Sequence, residues 1–522
     1  MSQAFDQRLG ALQARSDNSV GDGLRGIEKE SLRVDANGYL AKTPHPVGLG
    51  SALTNRYITT DFSEALLEFV TPALASTWEA LQAICDTHQF TYRQLGDELL
   101  WVASMPCRVH GKPEIPLAYY GDSNVGKMKT VYRRGLGHRY GRHMQTIAGV
   151  HFNYSLSDAF WPVYQEVLAD TQGSVEFRSE HYLGLVRNFR RYGWIVLYLF
   201  GASPALCKSF GGDGELSMPS LNDETYFEPF GTSLRMSDLG YNNQTQEGIS
   251  ISLNKLDEYI HDLGDAIRTP EPMYEKIGVV VDGEYQQLNA NKLQIENEYY
   301  SPVRPKRVAE SGERPTAALR RGGIEYVEIR SLDINIFDPA GINQNTMRFM
   351  EAFVIYCLLE ESPAFDSASF DEAQQNQSLT AKRGRDPLLE LARNGRRVLL
   401  SDWAREIVGK VGAVAELIDR QGGDHSYGGA VALMATYVDN PDSTPSARVL
   451  EELRDANCSF FDFALEIARG HKNYFDSITP MPSERAKEFE QEARESLRRQ
   501  RDIEAADVVS FEEYLAHYFA AD

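Results

Sequence analysis

A chain of 522 residues has room for one large domain or for two to three ordinary ones. Its 53 basic and 75 acidic side chains leave a net charge of −22, and such a surface repels nucleic acid and anionic membranes, so neither is expected as a partner. Hydrophobic residues at 42% and charged residues at 25% fit a water-soluble globular protein and exclude a disordered one. The five cysteines (Cys85, Cys107, Cys207, Cys357, Cys458) are scattered, with no Cys-x-x-Cys. They suit a reducing compartment, not a disulfide framework or a zinc site. The first residues lack the apolar core of a secretion signal, so a cytoplasmic location is expected.

Residues 4–17 read as a short amphipathic helix. Gly26 to Val34 alternates like a strand and ends at the turn residues Asp35 to Gly38. A second strand-like segment, Ile58 to Val70, is broken by Thr71-Pro72. Apolar spacing predicts a helix from about Ser76 to Leu99. The stretch Ala118 to Gly141 is rich in glycine, tyrosine and basic residues within an acidic chain. Thr146 to Ser155 again alternates. Helical spacing continues to about residue 200, and its apolar run Trp194 to Phe200 is too short to span a bilayer. A Gly/Ser/Pro-rich connection to about 233 follows. Segments 276–300 and 323–335 read as strands. From about 341 the spacing is almost wholly helical, and the charged run Glu484 to Asp507 reads as a solvated helix face. Strands and helices first, then helices alone, predict an α+β fold: an antiparallel sheet with helices packed around it. The chain reads as one catalytic unit, 1–522, with a sheet-bearing part at 1–340 and a helical part at 341–522.

Several strands place acceptors two residues apart, hence on one face. Glu28 and Glu30 form one such pair, and His151 and Asn153 another. Glu328 and Arg330 form a third, and Asp61 and Glu68 bracket a short segment. Two carboxylates side by side repel unless a cation sits between them. Hard ions such as Mg²⁺ take oxygen ligands and sometimes a histidine. Each acid alone is also consistent with an ordinary surface residue, and Glu-x-Arg with a cross-strand ion pair. Gly121 to Met128 fits Gly-x-x-x-x-Gly-Lys but ends in Met where a phosphate-binding loop needs Ser or Thr, so that reading is rejected. The cluster Lys127, Lys129, Arg133 and Arg134 would suit a polyphosphate or a carboxylate, or simply form a solvated face. No nucleophile motif is present, so catalysis by positioning and charge neutralisation is expected.

Six ordered segments resemble bacterial glutamate–cysteine ligases, of the superfamily related to glutamine synthetase. They are Gly26 to Arg33, Thr59 to Pro72, Gln145 to Asn153, Ser233 to Tyr241, Leu293 to Tyr300 and Gly323 to Asp333. The resemblance implies a curved antiparallel sheet forming a funnel-shaped active site, with helices outside. It implies ATP-driven ligation of the γ-carboxyl of L-glutamate to the amine of L-cysteine through a γ-glutamyl phosphate, the first step of glutathione synthesis. Glu28, Glu30, Asp61, Glu68, His151 and Glu328 match the family's magnesium positions, for two or more Mg²⁺ ions. Arg330 matches a residue that stabilises the transferring phosphoryl group and binds ATP, with Glu328 beside it in the catalytic pair. Arg235, Gln145 and Asn153 match positions near glutamate. Phe62, Tyr132, Leu136, Ile147, Tyr241 and Tyr300 match the cysteine pocket. Feedback inhibition by glutathione and a monomeric state are further expectations of the resemblance. Another ATP-dependent carboxylate–amine ligase with a different amine acceptor, or an inactive nucleotide-binding relative, would share part of this pattern.

Overall fold

Residues 3–109, 115–211, 216–240, 246, 248–310, 312–423 and 425–520 are described by the computed structural model. The first amphipathic segment is helix α1 (Gln3–Gln13), which buries Phe5, Leu9 and Leu12 along one stripe. Strand β1 (Leu24–Val34) follows and is buried along nearly its whole length. It carries charge on both faces: Glu28 and Glu30 on one, Arg25, Lys29 and Arg33 on the other. A charge buried on either face needs a partner there, and that demand organises the elements around β1.

The second strand-like segment folds back on itself. Strands β2 (Ile58–Thr60) and β3 (Leu66–Val70) form a hairpin closed by the bond from the Asp61 N–H to the Leu66 carbonyl, 2.9 Å. Helix α2 (Thr77–Leu95) begins where Ser76 accepts from the Glu79 N–H, and the two-residue strand β4 (Leu99–Leu100) pairs with the end of β1. The glycine-rich basic stretch becomes helix α3 (Asn124–Tyr140), capped by Ser123. The glycine of its Gly-Lys pair has a packing role. A Cβ on Gly126 would stand 2.5 Å from the Tyr120 carbonyl oxygen, so only glycine fits there. Strand β5 (Val150–Ser155), helix α4 (Ser174–Tyr192), and strands β6 (Val303–Lys306) and β7 (Tyr326–Leu332) complete the main elements of the first part. The sheet is antiparallel in the order β6-β7-β5-β1-β3-β2, with β4 beside β1.

Three expectations are corrected. Segment 276–300 holds only a minimal hairpin, Val280–Val281 with Glu284–Tyr285. Beyond it, side-chain amides take the backbone groups a strand would use. Gln287 donates to the Gly278 carbonyl (3.1 Å), and Gln294 accepts from the Leu288 N–H (3.0 Å). The 200–233 connection contains a small three-stranded sheet, Ala205–Cys207, Ser220–Asn222 and Thr225–Phe227. Cys107 and Cys207 form a disulfide across 100 residues of sequence, a pairing that linear spacing hides because the fold alone brings them together.

After β7 the chain is almost wholly helical, with one hairpin at Glu390–Arg393 and Arg396–Leu399. Helix α5 (Gln344–Leu359) is mostly apolar and largely buried, and it packs with α6 (Leu400–Gly422) and α7 (Ser426–Asp439). Helix α8 (Ser483–Ala506) is mostly a solvated charged helix, as read, with Phe489, Glu492, Ala493 and Ser496 buried. Helix α9 (Phe511–Ala520) follows. No described helix is long and apolar enough to cross a membrane.

Partners for the non-acidic face of β1 come from these helices for Arg25 and from the first part of the chain for Arg33 and Lys29. Arg25 meets Glu351 of α5 through two bonds of 2.8 Å, and Tyr427 of α7 donates to the same carboxylate at 2.7 Å. Arg33 contacts Glu98 at 2.6 Å, and Lys29 donates to Ser31 at 2.8 Å. Removing one member of a buried pair strands the other. Glu351→Ala is therefore expected to lower stability by about 3–5 kcal/mol, read as a fall in melting temperature; an unchanged transition would show that Arg25 finds another partner.

Candidate active site

Register brings the acidic residues together. Glu28 stands opposite His151, Glu30 opposite Glu68, and Glu328 opposite Asn153, so β7, β5, β1 and β3 all contribute to one face. Glu28 accepts from Asn153 (2.9 Å) and lies 3.1 Å from His151 Nδ1. Glu30 accepts from the Gly149 N–H at 2.6 Å and lies 3.9 Å from His151 Nε2. Glu328 is 3.9 Å from His151 Nδ1 on one side and 3.2 Å from Arg330 on the other. Two cations missed in the sequence, Arg304 and Lys306 of β6, approach Glu328 at 3.9 and 3.6 Å. Their signal was present: Arg-x-Lys is the same i, i+2 pattern that marked the acids.

The electrostatics divide the cluster. Burial raises the energy of the charged form of Glu328, but Lys306, Arg330 and Arg304 outweigh it and hold the carboxyl well below its ordinary range. Burial acts the same way on Glu28, and the His151 hydrogen bond together with the His151 and Lys306 charges brings it down. Glu30 is pushed up by burial, with Asp61 adding to the effect. Glu68 is pushed furthest up, by burial and then by Glu28, Asp61 and Glu30. A cation at this point would relieve that repulsion. Glu28, Glu68 and His151 each offer a ligand atom within 4.8 Å of the others. Glu328 Oε2 and Asn153 Oδ1 are buried and accept no hydrogen bond among the described residues. Oxygen donors with one imidazole fit a hard divalent ion such as Mg²⁺.

The acids open into a cavity of about 790 Å³, lined by Glu28, Glu30, Asp61, Glu68, His151, Glu328 and Arg330 together with Tyr132, Leu136, Gln145 and Tyr300. Of the cluster Lys127, Lys129, Arg133 and Arg134 on α3, only Lys129 and Arg133 line it. Arg133 donates to the Asp61 carbonyl. Lys127 is exposed, and Arg134 turns to the Tyr285 carbonyl and Glu284. Some expected residues lie behind the wall. Phe62 and Ile147 are core residues, and the Asn153 amide is committed to Glu28. Arg235 is buried, donating to the Arg330 carbonyl at 2.9 Å. Its guanidinium comes within 2.1 Å of where a Cβ of Gly149 would be, so glycine there makes its room. Tyr241 lies outside the described residues.

The family pattern described as glutamate-cysteine ligase matches residues 9–380. The chain is 50% identical over 521 residues to a glutamate–cysteine ligase of Alcanivorax borkumensis, covering 99% of each chain. It is 47% identical to one of Pseudomonas putida, covering 100% of this chain and 99% of that one. Among solved structures, it is similar to a glutamate–cysteine ligase of Francisella tularensis in complex with AMP. That likeness has a TM-score of 0.90 at 35% identity and covers 96% of this chain and 98% of that one.

The crowding of carboxylates predicts a pH signature in cation-free protein. Glu68 has a folded-state pKa above the ordinary 4.5. The folded state therefore binds its proton more tightly, and stability falls as pH rises from 4.5 through that raised value. In chelator, Glu68→Gln is expected to flatten this decline and raise the melting temperature near neutral pH. Added Mg²⁺ should stabilise the wild type more than the variant. Parallel curves for the two proteins would contradict the crowding.

Proposed function

The chain belongs to the glutamate–cysteine ligase family, and from that premise we propose the roles its cavity residues take in the reaction. The reaction is the ATP-dependent joining of the γ-carboxyl of L-glutamate to the amine of L-cysteine, the first step of glutathione synthesis. A γ-carboxylate oxygen attacks the terminal phosphorus of ATP, the bond to ADP breaks, and a γ-glutamyl phosphate forms. The cysteine amine then attacks the acyl carbon, gives up a proton, and phosphate leaves with the bonding pair.

The observation that carries the assignment is the convergence of acids from three strands, with His151 from a fourth, beside Arg330 at one cavity. Both partners of the first step are anions, so their approach is the barrier the site must lower. Glu28, Glu30, Asp61, Glu68, His151 and Glu328 would hold Mg²⁺, which when bound screens the phosphates and polarises their oxygens. Arg330, held by Glu328, presents a planar guanidinium to the transferring phosphoryl group. Arg304 and Lys306 add positive charge on the same side. Gln145 meets glutamate from the cavity wall. Arg235 contributes from behind Gly149, and Asn153 acts by fixing Glu28. Tyr132, Leu136 and Tyr300 form the cysteine pocket, backed by Phe62 and Ile147 and joined by Tyr241. Catalysis by a single unit of 1–522, as a cytoplasmic monomer, completes the reading. Glutathione retains the γ-glutamyl and cysteinyl groups, so it competes for the same subsites as a feedback inhibitor.

The test is ADP release by purified protein with Mg²⁺ and ATP. Release is expected only with glutamate and cysteine together, with γ-glutamylcysteine as product. Glu328→Gln, which keeps the shape and loses the charge, is expected to cut kcat by about 100-fold or more while the melting curve persists. A near-normal rate in this variant would remove Glu328 from the metal set.

A further inference from the structure

Strand β7 keeps its register against β5 as far as Ile329, opposite Phe152, and resumes it at Leu332, opposite Val150. Between them, Arg330 and Ser331 stand against the single residue His151, so β7 carries a β-bulge at that point. The extra residue sorts the side chains. Cross-strand partners share a face, so Ile329 and Leu332 both lie with Phe152 and Val150 in the core. Without the bulge, alternation would turn Leu332 toward Glu328 and Arg330, into the acidic cavity. The bulge also decides where Arg330 is aimed.

Backbone groups that a bulge takes out of the ladder need other partners. The Arg330 N–H donates to the Pro302 carbonyl (2.9 Å), just before β6. The Arg330 carbonyl accepts from Arg235 Nη2 (2.9 Å). Arg235 reaches it across Gly149, the neighbour of Val150, where any side chain would collide with the guanidinium.

Arg235 is braced in turn. Its Nη1 lies 3.8 Å from Asp333 Oδ1, and both side chains are buried. Asp333 also fixes the two segments around Arg235. Its Oδ2 accepts from the Ala202 N–H (2.9 Å) and the Ser203 hydroxyl (2.6 Å), and its Oδ1 from the Ser233 hydroxyl (2.8 Å). Ser203 and Ser233 form a parallel bridge, and the Leu234 N–H donates to the Ser203 carbonyl (2.8 Å), one residue before Arg235. Asp333 is thus buried behind the cavity wall with donors at both oxygens, and none of the roles assigned above uses it.

We propose that Asp333 is a positioning residue for Arg330. It braces Arg235, and Arg235 holds the bulge that aims the Arg330 guanidinium into the cavity beside Glu328. When the brace loosens, the bulge relaxes and Arg330 shifts. A displacement of about 1 Å at a group that meets the reacting atoms costs up to about 100-fold in rate. This inference rests on the reading of Arg330 as the residue that meets the transferring phosphoryl group.

The experiment is a double-mutant cycle between Asp333 and Arg330 in the full-length chain. It reads kcat for ADP release with glutamate and cysteine present, in variants whose melting curves show them folded. Asp333→Asn keeps the shape but sets an amide donor against groups that donate. Alone it is expected to lower kcat about 10-fold or more, with the KM for cysteine unmoved. Arg330→Gln alone is expected to lower kcat about 100-fold. In the Arg330→Gln background, Asp333→Asn should cost less than about 2-fold more, because the group it positions is already gone. Ser203→Ala combined with Ser233→Ala loosens Asp333 and keeps its charge. This pair covers an Asp333 variant that fails to fold, and it should give the same pattern. Losses that multiply across the cycle overturn the proposal and leave Arg330 in its role. So does an unchanged kcat in folded Asp333→Asn, and so does a loss confined to the KM for glutamate, which would limit Asp333 to Arg235. A near-normal rate in Arg330→Gln overturns both the proposal and the reading of Arg330. A non-additive cycle in a protein that releases ADP without needing both amino acids would instead overturn the ligase reading and leave the brace supported.

Discussion

Carboxylates crowded on one face of a sheet cannot all stay ionised without compensating charge. Much of this molecule answers that constraint. Glu28, Glu30, Glu68 and Glu328 come from three strands, and antiparallel register sets them across from one another and from His151 and Asn153 of a fourth. Compensation comes unevenly. Glu328 is surrounded by Lys306, Arg330 and Arg304, whereas Glu68 faces mainly other acids. The result is a gradient across the cavity floor, cation-rich at β6–β7 and cation-poor at β1–β3. The poor side is where an ion is most needed, and the rich side is where an anionic group being transferred is best met.

The same strand imposes a second demand on its other face. Arg25, Lys29 and Arg33 point away from the cavity into the protein; Glu351 of α5, itself held by Tyr427, meets Arg25, while Ser31 and Glu98 of the first part meet Lys29 and Arg33. The helical last third is therefore tied to the acidic sheet through β1 itself. It reaches the cavity a second time through α9, after α8 has carried the chain along the surface. A region that reads as scaffold in the sequence thus bears on the active site from two directions.

What could be read in advance follows from locality. The i, i+2 acids were legible because strand geometry makes them neighbours without further information. Glu28 with Glu30 and Glu328 with Arg330 needed no tertiary contact to be noticed. The resemblance to known ligases then linked segments that spacing alone could not. The tight β2–β3 hairpin was missed because Asp61 to Ala65 contains no glycine or proline to announce a turn. The 276–300 stretch misled because Gln287 and Gln294, polar residues of unremarkable spacing, hold the backbone out of a sheet. Cys107 and Cys207 gave no local sign of pairing. Tyr514 and Tyr518 look like any amphipathic aromatic pair until α9 is placed against α3.

The central claim is that the acids of β1, β3 and β7, with His151 of β5, act as one anchor for divalent cations. Electron paramagnetic resonance of bound Mn²⁺, with and without a non-hydrolysable ATP analogue, addresses it most directly. The account predicts more than one bound ion in the presence of nucleotide, with a spin–spin coupled signal that Glu28→Gln abolishes. A single uncoupled ion, or a signal indifferent to Glu28, would contradict it.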